Sequence, residues 1–541
     1  MQRFHEQIIA IASIALYALI NAVSLTHFPL MHSDESWIAG LTRHMLNEKS
    51  LFVTEPFFDL FPRSAHLIKS GFHLMQMPFI ALGGYSLFGV RMLSLTFSIF
   101  CLILVYKIYQ KESNTKIKFF ALLILMSNIE FIKATHFARQ EMLMLFLFLL
   151  AFSYIITLWQ RSDSKTIGWK QTLLLSSIIG FAISVHPNAL LLAMGAGLVY
   201  LFFWRTGTIR FHQLVLLIVF VASYAALLAG MSLYVNPEFI QGYSAYGKTM
   251  GVSNSLASKG MGFVDYYRKI YHQIGATYYI PQERFLLITG GIALLWGTVK
   301  TLRLLISPMR RDHLDLASCR IILYTLFIWG MQAGLLVIGR FNTNYILFPL
   351  LFSLLLFLEL IYNVCSNSSL SARKSLIVPA ILVLFISLQS INVYHNIAGH
   401  PQNDYSAYLA EIRSILSPED KTLGNLNTGF FFADTSLLDF RNLSYLPSGL
   451  SLQEYLEQNN ITAIILPEEM DYIARNQDPW RILYGPLDYY PALQALLKRD
   501  YLLAHSFTSP GYGMRIVRYL DGYPWGVQIY IKKAEPRSPA H

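Results

Sequence analysis

Long apolar runs separated by short polar loops fill the first three quarters of the chain. They lie near 8–27, 91–108, 117–135, 141–159, 172–186, 188–204, 212–234, 285–305, 320–339, 342–362 and 375–394. Each approaches the roughly 20 residues a helix needs to cross a hydrocarbon core about 30 Å thick. A backbone in lipid must satisfy its own hydrogen bonds, so runs of this length are helices rather than barrel strands. The pattern therefore predicts eleven membrane-spanning helices. A further stretch, 72–88, is apolar but carries Pro78, Gly83 and Gly84. It is read as helix lying along the outer interface, because a twelfth crossing there would reverse the charge rule for every later loop.

The loops give the orientation. Lys107, Lys111, Lys116 and Lys118 fall in one connection, and Arg161, Lys165 and Lys170 in another. Arg205 and Arg210, then Lys300, Arg303, Arg310 and Arg311, then Arg373 and Lys374 occupy three more. The intervening loops around His136, His186 and Asn342 are poorer in Lys and Arg. Cationic loops stay cytoplasmic, which predicts a cytoplasmic N-terminus and an extracytoplasmic C-terminus. Met1-Gln2-Arg3 precedes a first run with no small-residue cleavage site, so an uncleaved first helix is expected.

Three large outer pieces follow: a first loop at 28–90, a second at 235–284, and the segment from 395 onward. The second holds Tyr243, Tyr246, Tyr266, Tyr267, Tyr271, Tyr278 and Tyr279. Together 1–394 form the predicted membrane domain and 395–541 a soluble α/β domain. Within the latter, Tyr405 to Leu416, Leu452 to Glu457 and Leu493 to Lys498 have helical spacing. Ile461 to Leu466, bounded by Asn460 and Pro467, reads as a buried strand. Tyr501–Phe507, Met514–Tyr519 and Val527–Ile531 are further strand candidates, and the tail from Lys532 is expected to be disordered.

Composition agrees. Of 541 residues 54% are hydrophobic and 14% charged, against about one quarter charged in soluble domains. Cys101, Cys319 and Cys365 lie in or beside apolar runs and imply neither a disulfide framework nor a zinc site. The net charge is +10; from residue 395 onward 12 Lys/Arg stand against 16 Asp/Glu, so the membrane part carries +14. Positive-inside topology accounts for that surplus better than nucleic-acid binding does.

The candidate chemistry starts where the chain leaves the first apolar run, at His32-Ser33-Asp34-Glu35-Ser36-Trp37. An ionised Asp34 at a lipid boundary can take a proton from an attacking hydroxyl, and Glu35 can perturb or assist it. The same residues also resemble a helix start, where early carboxylates suit the dipole. Arg63, His66, Lys69 and His73 lie in the first loop. Arg91, Arg139 and Arg340 sit at the outer ends of spans, where topology disfavours cations and an anionic headgroup or phosphate would attract them. Glu141 can pair with Arg139, and His136 and His186 stand at outer helix ends, with Pro187 placed to start a helix. Asp265 and Glu283 are acidic residues of the tyrosine-rich loop.

These motifs, in this order, resemble the GT-C membrane glycosyltransferases, specifically the family 39 group of protein O-mannosyltransferases and lipid A aminoarabinose transferases. The resemblance is carried by His32 to Glu35 after one span and by the stretch His73 to Ser94 ending Leu87-Phe88-Gly89-Val90-Arg91-Met92-Leu93-Ser94. It continues in Ala138-Arg139-Gln140-Glu141-Met142-Leu143 and in Arg340 to Tyr345 with Pro349. It implies a polytopic α-helical GT-C fold and inverting transfer from a polyprenyl-phosphate sugar, metal-independent or loosely linked to a divalent cation. By the same resemblance Asp34 is the general base and Glu35 its assistant. Arg91, Arg139, Arg340 and Tyr345, with Lys69 or His73, neutralise the departing lipid phosphate. Ser36-Trp37 stand where the aminoarabinose group has arginine and tyrosine, His73 stands in the register of a lysine, and Glu141 replaces the common aspartate. The sequence thus points to an inner-membrane enzyme of the bacterial cell envelope whose acceptor is a lipid, a surface or cell-wall glycan, or a protein. A transporter or lipid flippase is the alternative, but it would favour ionisable residues near mid-membrane and repeated halves. A mere anchor for a scaffold would not need eleven spans.

Overall fold

The computed structural model describes the chain except residues 1, 111–114, 162–166, 250–251, 253–254, 276–278, 307–315, 367–373, 401–403, 477–483, 510, 515–524 and 534–541. The strand expected at Met514–Tyr519, the tail beyond Lys533, Tyr278 and the loop cations Lys111, Lys165, Arg310, Arg311 and Arg373 therefore lie outside the described residues, wholly or nearly so.

Every predicted run coincides with helix: α1 (Gln2–Ser24), α4 (Leu87–Ile108), α5 (Thr115–Met126), α6 (Ile129–Thr135), α7 (Glu141–Arg161), α8 (Trp169–Val185), α9 (Leu190–Arg205), α10 (Phe211–Val235), α13 (Arg284–Ile306), α14 (Leu316–Ile338), α15 (Leu347–Ser366) and α16 (Lys374–Ala398), while α11 (Phe239–Thr249) and α12 (Leu256–Tyr271) fall in the tyrosine-rich loop. Among the described residues nine helices are long and apolar enough to cross a membrane, and the chain is a multi-pass membrane protein. The count falls below eleven for two reasons. Helix α8 is only 17 residues long. The run 117–135 breaks at Ser127-Asn128, where the Asn128 side chain accepts the Phe131 amide at 3.0 Å and starts α6. The stretch 72–88 forms α3 (Ser70–Gly83) and then turns through Gly84 at φ +71°. Fourteen residues rise about 21 Å, short of the bilayer core.

The chain divides into two compact units. The first comprises Met1–Leu25, His66–Met75 and Arg91–His400. Its helices α9 and α14 approach through small residues: a Cβ on Gly330 would lie 2.5 Å from the Gly195 Cα, so only glycine permits the backbones to meet. Arg320 and Glu359 form a fully buried ion pair (Nε to Oε1, 2.6 Å), with the guanidinium also over the Tyr109 ring. An acidic residue inside an apolar run needs such a partner.

The second unit comprises Thr26–Ala65, Gln76–Val90 and Pro401–His541. Its five-stranded sheet has the order β2-β1-β3-β5-β4. β1 (Thr422–Gly424), β2 (Leu437–Asp439) and β3 (Ala463–Pro467) run parallel, while β5 (Gly526–Lys532) is antiparallel to β3 and to β4 (Tyr501–Thr508). β3 is buried along its whole length, as its unbroken apolar sequence requires between packed layers. Helices α17 (Tyr405–Arg413), α18 (Leu452–Gln458), α19 (Glu469–Arg475) and α20 (Tyr490–Asp500) belong to this unit. So does α2 (Ser33–Asn47), which docks on it. Ser36 donates to the Leu426 carbonyl, Arg43 Nη1 donates to the Phe432 carbonyl at 2.8 Å, and His44 Nδ1 lies 2.9 Å from Asp434. Farther along the loop, the Tyr455 hydroxyl donates to Asp59 and the Asn442 amide to the Phe57 carbonyl.

Candidate functional site

In the second unit, α2 begins with a capping box. The Asp34 amide donates to His32 Nδ1 at 3.1 Å, and Glu35 Oε1 accepts the His32 amide at 3.0 Å. Such a box satisfies two otherwise orphaned helix donors and is worth about 1 kcal/mol. Glu35 is fully buried in that role, so its carboxylate is committed to the helix start. Asp34 points differently: its side chain keeps 17% exposure and stands 3.6 Å from His32 Nδ1. The helix thus fixes its own geometry with Glu35 and leaves Asp34 as the solvent-reachable carboxylate of its first turn. Nearby, Glu55 accepts from Arg63 Nε at 2.9 Å and from the Trp37 indole at 2.9 Å. Burial alone would raise its carboxyl, but Arg63 overrides that and holds it at about 2. Arg63 is therefore a structural cation.

In the first unit, the cations gather. Lys69, Arg340 and Arg139 all act electrostatically on His186. Burial first, and then these three charges, push the imidazole well below its ordinary value, so the ring is neutral at pH 7. Its Nδ1 accepts the Asn188 amide at 3.1 Å and caps the turn Pro187–Ala189 that leads into α9. The His186 and Tyr345 rings are 6.2 Å apart, and Tyr345 also feels Arg340, Glu141 and Arg139. Arg139 Nη2 stands 3.3 Å from Glu141 Oε1, both side chains buried. Their loop is held by Ser94, which donates to the Phe137 carbonyl at 2.7 Å. Arg340 follows Gly339, whose φ of +67° ends α14 and turns the chain toward α15 through a short helical turn capped by Asn342. Lys69 has φ +78°, sparsely populated for a non-glycine residue, and precedes α3.

The other candidates are placed elsewhere in the same unit. Arg91 is fully buried, donates to the Leu25 carbonyl at 2.8 Å and acts on His136. Burial and that charge hold His136 at about 3, with Nε2 3.1 Å from the Asn21 carbonyl. His73 is buried against the Phe72 ring, and His66 packs on Phe239.

Several residues around the cations carry buried polar atoms, among them Asn188, Glu130 and Lys133, which the sequence did not single out, and Tyr266 and Glu283, which it named only as members of the tyrosine-rich loop. The Tyr266 hydroxyl has no hydrogen-bond partner among the described residues, and the Asn188 side chain lies beside Tyr345. Tyr266 in turn feels Glu130, Glu283 and Tyr345. Glu130 is bonded by Lys133 at 2.8 Å, and burial followed by the Glu130 charge raises the Glu283 carboxyl well above its usual range. A histidine-proline-asparagine turn and an acidic residue within an apolar run are the signals that could have found them. Among the described residues no group of three or more His, Cys, Asp or Glu side chains could hold a metal ion.

No family model and no curated protein sequence matches the chain. Solved structures do. ArnT of Cupriavidus metallidurans, in a crystal structure bound to undecaprenyl phosphate, aligns at TM-score 0.55 over 98% of this chain and 99% of that one, with 11% identity. Its apo form aligns at 0.51 over 88% and 95%, also with 11% identity. The Archaeoglobus fulgidus oligosaccharyltransferase, tethered to an acceptor peptide, aligns at 0.51 over 93% and 73%, with 12% identity. At these identities the likeness is one of fold, and the fold is that of the GT-C membrane glycosyltransferases.

Proposed function

We propose that the chain is a membrane glycosyltransferase that moves a sugar from a polyprenyl-phosphate donor to an acceptor on the extracytoplasmic side. The acceptor hydroxyl attacks the anomeric carbon, and the new C–O bond forms as the bond to the lipid phosphate breaks. The hydroxyl proton passes to Asp34, and the phosphate leaves with its electron pair on the opposite face, inverting the sugar. Arg139, Arg340 and Lys69, with Tyr345 beside them, stabilise the phosphate as its charge grows, an effect that is commonly a large share of catalysis.

The observation that carries this reading is the gathering of three cations around a neutral His186. A concentration of positive charge at this place suits a departing phosphate monoester of nearly −2. The solved relatives support the donor class, since one is bound to undecaprenyl phosphate. Glu35, Arg91, His66 and His73 enter as supports of local structure. Residues 1–394 then form the catalytic membrane part, with the N-terminus cytoplasmic and 395–541 facing the periplasm of a bacterial cell. The resemblance to family 39 in particular rests on the sequence motifs.

The test is transfer from synthetic polyprenyl-phosphate sugars in membranes carrying the wild-type chain or the variants Arg139→Ala and Arg340→Ala. Transfer that collapses in both variants while the protein stays folded supports the reading; undiminished transfer in both overturns the phosphate site. Reporter fusions after residues 115, 165 and 395 check the orientation, with the last expected outside.

A further inference from the structure

The second unit holds a crevice that the transfer mechanism does not use. It opens beside Ser33, one residue before Asp34. Its walls are the segments that follow the three parallel strands: Asn425 to Asn427 after β1, Asp439 to Arg441 at the end of β2, and Met470 after β3. The order β2-β1-β3 sends the chain from β1 to one side and then across to the other. The crevice therefore sits at the carboxyl ends of the strands where the winding reverses, the position at which open α/β sheets bind ligands.

The chemistry of the walls selects among ligands. Asp439 and Arg441 form a two-pronged ion pair (2.7 and 3.1 Å), so the charged residues lining the crevice cancel. The turn after β1 caps itself, since the Asn427 amide donates to Asn425 Oδ1 at 2.8 Å; the Arg441 amide donates to Asp439 Oδ1 at 2.9 Å. Backbone donors that would cradle a phosphate are thus taken. What remains is the Tyr489 hydroxyl. Tyr489 lines the crevice, is 92% buried, and its hydroxyl has no hydrogen-bond partner among the described residues. A buried hydroxyl of this kind costs free energy unless something answers it. Phe440, Met470 and Tyr484 add apolar and aromatic surface.

We infer that this crevice is a carbohydrate subsite that seats a neutral, hydroxylated ring, the sugar portion of the acceptor. This rests on the transferase function proposed above for the word acceptor, but the binding itself does not depend on it. The ring lays an apolar face on the aromatic wall and offers a hydroxyl to Tyr489 and to the outer edge of the Arg441 guanidinium.

The probes are methyl glycosides of glucose, galactose, mannose and N-acetylglucosamine, added at millimolar concentration to the full-length protein in detergent micelles. Saturation-transfer NMR reads the binding. At least one glycoside gives a signal with the wild type, and Tyr489→Phe weakens it roughly three- to tenfold, the worth of one hydrogen bond. Arg441→Lys, which keeps the charge and loses the fork, serves as the second variant should Tyr489→Phe alter the fold. No signal from any glycoside, signals that neither variant weakens, or displacement by inorganic phosphate would overturn the subsite. If glycosides bind as described while the wild-type chain transfers no sugar, the subsite stands and the proposed enzyme falls.

Discussion

Both units pair charges, as Arg320 and Glu359 do in the first, but among the described residues only the first concentrates cations at one place. In the second, several charges are closely paired: Glu55 with Arg63, Asp439 with Arg441, and Asp434 with both Arg43 and His44. In the first, Lys69, Arg139 and Arg340 gather on one neutral imidazole with a single carboxylate, Glu141, among them. Matched pairs hold a fold together, whereas the proposed function gives a concentration of cations an anionic ligand to receive. On the proposed function Glu35, which closes the helix start, belongs with the residues of structure and Asp34 with those of chemistry, although they are neighbours.

Substitutions can break that division. The largest effect is expected from Asp34→Asn, which removes the proposed base. Transfer should fall by about 10²- to 10⁴-fold with little change in melting temperature, whereas a matching loss of stability would return Asp34 to the structural group. Next comes Arg340→Ala, expected to lower kcat by roughly 10²- to 10³-fold by withdrawing charge from the leaving group, with Arg340→Lys restoring part of it. Raised salt should mimic the change only in part, because Arg139 is buried while Lys69 and Arg340 are half-buried.

Glu55→Gln addresses the structural group. Breaking a buried pair by removing one partner costs about 3 kcal/mol, read as a lower melting temperature with transfer per folded molecule unchanged. The sign with pH follows from a carboxyl held at about 2 in the folded protein against 4.5 unfolded. Its contribution is complete above pH 4.5 and is lost as pH falls toward 2. The smallest effect belongs to Glu469, a fully buried carboxyl that accepts the Met514 amide at 3.1 Å. Burial raises it to about 8. Its contribution is therefore complete below pH 4.5 and lost as pH rises toward 8. Glu469→Gln should raise the melting temperature at pH 8 by about 2–4 °C and flatten the curve between those limits; an unchanged curve would mean that Glu469 ionises freely.

Much of the membrane part was legible because a span announces itself over some twenty residues. The break at Asn128 was not, since one capping side chain divides a run without changing its hydropathy. In the second unit β3, β4 and β5 carry enough apolar or β-branched residues to be read. β1 and β2 have three residues each, too few for any period, and they are strands because neighbours pair with them. The docking of α2 on the sheet unit depends on bonds between residues almost 400 positions apart, such as Ser36 to Leu426, which no local pattern encodes. In the candidate site the cations could be named from their outer helix ends. That Arg139, Arg340 and Lys69 share His186 while Arg91 acts on His136 needed coordinates. Arg320 and Glu359 were missed because Arg320 reads alone as a charge at the edge of one apolar run and Glu359 as a lone acid inside another, with nothing local to pair them.

Mass spectrometry of lipids and surface glycans offers the most direct test, in cells lacking the chain and in the same cells given back either the wild type or Asp34→Asn. The account predicts that one sugar disappears from its acceptor on deletion, that its polyprenyl-phosphate form accumulates, and that only the wild type reverses both changes. Glycans and lipid-linked sugars unchanged by the deletion, or restored equally by the Asp34→Asn protein, would contradict it.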